Sequence, residues 1–217
     1  MQGTSGPPTS VAGPTPACLA VIRASNVVLA LWLLYRAYRS LSDLSVESLY
    51  TDIPSAGTCL LVAVLVLQRT VPSAVRYDAM SVAAVVVSNW HFLLIDFSPS
   101  SPAVPSVVGT VLLVGALYLA AYARVTLGRS FGLLPAVREI RTRGPYRLLR
   151  HPIYLAAILS DVGLVLAHPS ARNALLAAAG TVAHVVRVQR EESVLSGRLA
   201  YREYRRTTRF RLVPYLY

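Results

Sequence analysis

A chain of 217 residues that is 54% hydrophobic, with mean hydropathy +0.52, stands near the top of the range open to a soluble domain. Its formal net charge is +11, and all 21 basic residues are arginine. The apolar residues form long runs with the arginines between them, a distribution that favours a polytopic membrane protein and leaves no call for a nucleic acid partner.

Residues 1–16, rich in Gly, Pro, Ser and Thr, are expected to be a disordered tail, and they lack the basic start of a secretory signal. Spans are predicted over 17–35, 56–71, 79–97 and 103–123, followed by two shorter ones over 152–167 and 173–188. A full crossing takes about 20 helical residues, and the second span is marginal because Gln68 and Arg69 interrupt it. Arg69 and Arg76 fall between the second and third spans, seven arginines lie in 124–150 and eight in 187–211. Six spans with both termini inside place all of these in the cytoplasm. The expected architecture is an all-α polytopic bundle in the cytoplasmic membrane, with four spans in 17–123 and a cofactor-binding region in 124–217. Arginine-only basic usage with abundant Ala and Val suggests a high-GC bacterial source. Cys18 and Cys59 lie in apolar runs, and neither a disulfide framework nor a metal site is expected.

The stretch 124–150 holds Gly128, Gly132, Pro135, Gly144 and Pro145, so it cannot be one helix. Irregular backbone at membrane depth is tolerated only against protein or a wet cavity. His168-Pro169-Ser170 leaves room only for a tight turn, which makes the last two spans a helical hairpin. Tyr201 and Tyr204 stand at helical spacing among six arginines, the pattern of an amphipathic helix lying on anionic headgroups.

Two segments set charge directly against these spans: RGPYRLLRHPIY at 143–154 and RVQREESVL at 187–195. Pro152 suits the first turn of a helix, which puts His151 at a helix start where free N–H groups favour an anion; Tyr154 follows, and Gly144 and Tyr146 precede. Alone, the first segment reads equally as a positive-inside anchor. His184, Arg187, Glu191 and Leu195 share one helical face. An Arg187–Glu191 pair is ordinarily a plain intrahelical bridge, but the adjacent Glu191 and Glu192 supply acceptors where nearly everything else donates. Asn89, His91 and Asp161 are costly in lipid and must face a cavity or one another; Asp96 lies near a span end.

GPYRLLRHPIY, followed by EESVL and YREY and preceded by LGRSFG, resembles the isoprenylcysteine carboxyl methyltransferase family and its phospholipid methyltransferase relatives, over residues 127 to 217. The resemblance implies an integral membrane enzyme that transfers a methyl group from S-adenosylmethionine to a lipophilic acceptor entering from the bilayer. It implies a cofactor held by the backbone of Arg138, Glu139, Ile140 and Arg141, by Tyr146, His151, Pro152 and Tyr154, and by Glu191. Arg187 matches the arginine that faces an acceptor carboxylate, and His184, His91 and Asp161 are candidates for the acceptor site. A carboxylate acceptor needs only Arg187. A hydroxyl acceptor needs a base, for which Glu192, His184 and Asp161 are candidates. Arg141 and Arg143 stand where the family often has small or apolar residues. Two other enzymes fit: a phospholipid N-methyltransferase, or an NADPH-dependent sterol- or lipid-type reductase with Arg141 and Arg143 on the 2′-phosphate. A non-catalytic membrane scaffold is the reading from another class.

Overall fold

The computed structural model describes residues 11–12, 16–42, 49–68, 75–76, 78–96, 106–128 and 140–213. Seven α-helices occur there: α1 (Pro16–Ser42), α2 (Leu49–Gln68), α3 (Ala79–Trp90), α4 (Ser106–Leu127), α5 (Pro152–Ala167), α6 (Ala171–Leu195) and α7 (Leu199–Thr207). Their starts follow capping chemistry. Asp78 accepts from the Ser81 N–H at 2.8 Å, Ser170 accepts from the Asn173 N–H at 3.1 Å, and Pro152 opens α5. Val11–Ala12, inside the stretch expected to be a tail, pairs antiparallel with Val75–Arg76.

One helix among the described residues, Val107–Leu127, is long and apolar enough to cross a membrane by length and composition. Cys59–Gln68, Ala79–Trp90 and Pro152–Ala167 are shorter apolar helices. Of the predicted spans only 152–167 keeps its bounds: α1 runs on to Ser42, α2 begins at Leu49, α4 is shifted toward Leu127, and the third and last differ for reasons visible in the structure. The third stops at Trp90 and tightens into a 3-10 turn over His91–Leu94, because the chain there is tied sideways to other helices. His91 Nδ1 lies 3.0 Å from the Val87 carbonyl, its Nε2 lies 2.9 Å from Asp161 Oδ1, and the Asp96 N–H donates to Asn173 Oδ1 at 2.9 Å. The last span runs 25 residues to Leu195, through both glutamates, since nothing breaks the helix before Gly197. The hairpin is therefore unequal, with α6 projecting beyond α5.

The helices α4 and α5 meet backbone to backbone. A Cβ on Gly163 would lie 2.9 Å from both the Gly109 carbonyl and the Leu113 nitrogen, so glycine is needed for the approach. Helix α1 packs on α2, α2 on α4, and α3 and α5 on α6. Ala30, Leu33, Val62, Ala63, Leu65 and Val66 make one core. Outward, Val107, Val111, Tyr118 and Val125 of α4 are more than half exposed, an apolar surface of the kind lipid covers.

The tyrosines of α7 do not face headgroups. Tyr201 and Tyr204 are buried with Ala123, Tyr146 and Leu195 in a second core, and the Tyr204 hydroxyl donates to the Tyr146 carbonyl at 2.7 Å. A tyrosine fills apolar space and satisfies an irregular backbone at once, which an aliphatic residue cannot do. The arginines at 202, 205, 206 and 209 form the exposed side.

Asn173, fully buried, closes the turn between α5 and α6 by donating to the carbonyls of His168 at 2.7 Å and Asp96 at 2.8 Å. Asn173→Ala leaves three backbone groups without that partner, and an expected destabilisation of about 2–4 kcal/mol follows. Thermal unfolding in detergent checks it; an unchanged midpoint rejects the role.

Candidate functional site

The loop that enters the site begins at Gly144, whose φ of +56° lies in the left-handed region and whose Cβ position is crowded by Thr126 Oγ1 at 2.9 Å. That backbone sends the chain into a 3-10 turn over Gly144–Arg147 and turns Tyr146 into the second core. Burial raises the Tyr146 phenol well above its ordinary range, so it remains a neutral donor. Pro152 is fully buried at the first turn of α5.

The two sequence motifs meet at two carboxylates with different tasks. Glu192 is buried under a ring of donors: Arg150 Nη1 at 2.8 Å, His151 Nε2 at 3.3 Å, the Tyr201 hydroxyl at 3.1 Å and Arg211 Nε at 3.0 Å. Burial alone would raise its pKa; the His151 hydrogen bond and the charges of His151, Arg150 and Arg211 outweigh that and bring it down to about 2. A carboxylate so held is the knot that joins α5, α6 and the C-terminal segment.

That segment also takes the backbone donors at the helix start. The Arg150 and His151 N–H groups donate to the carbonyls of Phe210 at 2.9 Å and Arg211 at 3.0 Å. The Tyr154 and Leu155 N–H groups return to the His151 carbonyl. The His151 N–H is thus not open to an anionic ligand as the helix-start reading supposed. We refer to residues 208–212 as the strap.

Glu191 differs. It is half-buried, and its Oε2 accepts a hydrogen bond from the Tyr154 hydroxyl at 2.9 Å. One turn back, Arg187 is buried with its guanidinium 5.1 Å from the Tyr154 ring centre and Nη1 donating to Ser88 Oγ at 3.0 Å. His184 stacks edge-on against the same tyrosine at 5.9 Å. Tyr154 is therefore the pivot between Glu191, Arg187 and His184, with His151 edge-on 5.7 Å away on its own helix.

Beyond His184 lies the His91–Asp161 pair. Both ring nitrogens of His91 face oxygens, Nδ1 the Val87 carbonyl and Nε2 Asp161 Oδ1. The pair ties the 3-10 turn after α3 to α5.

Of the loop residues expected at the cofactor, Arg138 and Glu139 lie outside the described residues. Ile140 packs against the second core and Arg141 is exposed. Sequence reasoning missed Arg150, Arg211 and Tyr201 as partners of Glu192, and Ser88 as a partner of Arg187. The signal for Arg150 was present, immediately before His151; that for Arg211 was not, because it is one of eight arginines in its stretch. Among the described residues no cluster of His, Cys, Asp or Glu is set to hold a metal ion.

Residues 104–202 match the model of a family described as phospholipid methyltransferase, which takes in α4 and the stretch the motifs indicated as far as residue 202. No curated protein and no solved structure matches the chain.

Proposed function

We propose that the protein, whose residues 104–202 match the phospholipid methyltransferase model, is a multi-pass membrane enzyme that methylates a lipophilic acceptor with S-adenosylmethionine. The observation that carries this reading is the Tyr154–Glu191 bond at 2.9 Å with Arg187 beside it, which brings the two motifs to one point between α5 and α6. The donor set suits the cofactor: the carboxylate of Glu191, tied at one oxygen, offers the other to a diol or an ammonium, and Tyr154 and His151 present flat faces beside it. Arg138 to Arg141 belong to the other wall in this reading. The cofactor, when bound, supplies an electrophilic methyl group.

The chain's own work is positioning. Arg187, desolvated and braced by Ser88 and Tyr154, is placed to hold an acceptor carboxylate one helical turn from Glu191. Such an acceptor is already nucleophilic and needs no base. The six-span topology with a cytoplasmic site follows from the arginine distribution and is part of the proposal. Lipid headgroups then meet the arginines of α7.

Equilibrium binding of S-adenosylmethionine to the purified protein, with NADPH as competitor, tests it. Micromolar binding is expected, insensitive to NADPH and weakened at least a hundredfold by Glu191→Ala. Binding displaced by NADPH, or unaffected by that substitution, transfers the site to the reductase reading or removes Glu191 from it.

A further inference from the structure

Helix α7 has two unlike faces. Inward, the Tyr201 hydroxyl donates to Glu192 Oε1 at 3.1 Å and the Tyr204 hydroxyl to the Tyr146 carbonyl at 2.7 Å. Outward, Arg202, Arg205 and Arg206, with Arg209 just past the helix, are exposed at the three- and four-residue spacings that make side chains neighbours. Residues 198–211 hold six arginines against one acid, Glu203. Like charges so placed oppose the helix, and a helix of 9 residues has little stability of its own. Its docking therefore depends on what meets both faces.

The loop before α5 adds to the outer surface. Thr208 Oγ1 donates to the Arg147 carbonyl at 3.4 Å, and the Tyr204 hydroxyl lies 3.4 Å from the Leu149 carbonyl, so the end of α7 runs along residues 147–149. There Arg147 is exposed and Leu148 is 71% exposed; Leu199, which opens α7, is 78% exposed. Docking thus gathers exposed arginines from two segments, with bare leucines among them. The strap sets their depth, because its Phe210 and Arg211 carbonyls accept from Arg150 and His151, the residues immediately before the apolar helix α5. A basic surface with exposed leucines, held level with the end of an apolar helix, suits the boundary between headgroups and acyl chains.

We infer that α7 and the strap are a clasp closed by anionic lipid headgroups, which bind the docked arginine surface and so hold Tyr201 and Arg211 on Glu192. A ligand shifts such an equilibrium only if it prefers one state. Undocked, α7 leaves Arg147 behind and its charges spread. Docked, the arginines of both segments stand together, at a cost in a neutral bilayer and a gain in an anionic one. Lifting α7 also strips the tyrosine hydroxyls of buried acceptors. The inference takes from the proposed function only that the chain lies in a bilayer. It adds control by lipid charge over the wall that carries His151 and Tyr154.

The measurement is hydrogen exchange of the amides of 199–212 in nanodiscs of phosphatidylcholine, alone or with about one-third phosphatidylglycerol. Exchange should be at least about tenfold slower in the anionic discs, and the difference should vanish near about 1 M salt. Arg202→Gln, Arg205→Gln, Arg206→Gln and Arg209→Gln together should make exchange equal in the two discs. Arg172→Gln, exposed at the far turn, should keep the parent's difference. Equal exchange in the parent, or faster exchange with phosphatidylglycerol, overturns the clasp, and this comparison decides even if the fourfold variant fails to fold. Equal slowing by sodium phosphate in neutral discs also overturns it, by assigning the surface to a soluble anion. If exchange follows lipid charge but the protein binds no S-adenosylmethionine, the clasp stands and the methyltransferase reading falls; binding with no lipid response means the reverse.

Discussion

Replacing Glu192 with alanine should unfold the C-terminal corner of the protein. Arg150, His151 and Arg211 then converge on nothing, and removing one partner from a buried ion cluster typically costs 3–5 kcal/mol. The expected result is a lower thermal midpoint and rapid proteolysis within 208–213, where the parent is protected. Glu192→Gln, which retains an acceptor for Tyr201, should recover part of the loss. A midpoint equal to the parent's would falsify the assignment of Glu192 as the knot. The same group sets an acid limit. Its folded pKa of about 2 lies below the ordinary 4.5, so its stabilisation is complete above pH 4.5 and fades as pH falls from there toward 2. The Gln variant should lack that limb of the pH profile.

Gly163→Leu should be comparably severe, by sterics in place of charge. The new side chain would start 2.9 Å from the Gly109 carbonyl and the Leu113 nitrogen, and backbone cannot step aside as a flexible side chain can. Separation of α4 from α5 would also displace Tyr146, which rests on Ala123 of α4. A loss of at least about 3 kcal/mol, or failure to fold, is expected from overpacking at such a crossing. Gly115→Ala provides the contrast on the facing helix α4: nothing lies within 4 Å of its Cβ, and a neutral or slightly stabilising effect is expected. Unfolding midpoints of the two variants side by side give the answer, and similar values would contradict the close approach of α4 and α5.

The sequence makes much of this organisation legible where local chemistry is decisive. Pro152, Ser170 and Asp78 mark helix starts because each supplies or removes a definite hydrogen bond, and the apolar runs locate the helices behind them. Spacing within α6 placed Arg187 and Glu191 on one face, and the family resemblance set Tyr154 with them. Long-range decisions were not legible. Nothing in the run 79–97 says that the helix will stop at Trp90, since the residues that follow are tied to Asp161 and Asn173, 70 and 77 positions from His91 and Asp96. The amphipathic stripe of α7 is equally consistent with lipid and with protein; only the proximity of Tyr146 decides that the tyrosines point inward. The two adjacent glutamates lie about 100° apart around α6, which gives Glu192 to the knot and leaves Glu191 beside Tyr154.

The strap has a consequence for how the protein is made. Arg150 and His151 find their backbone partners in Phe210 and Arg211, and Arg150 is separated from Arg209 by 59 positions. During synthesis those partners are made after every other residue of the corner. The corner that holds His151 is therefore the last to close.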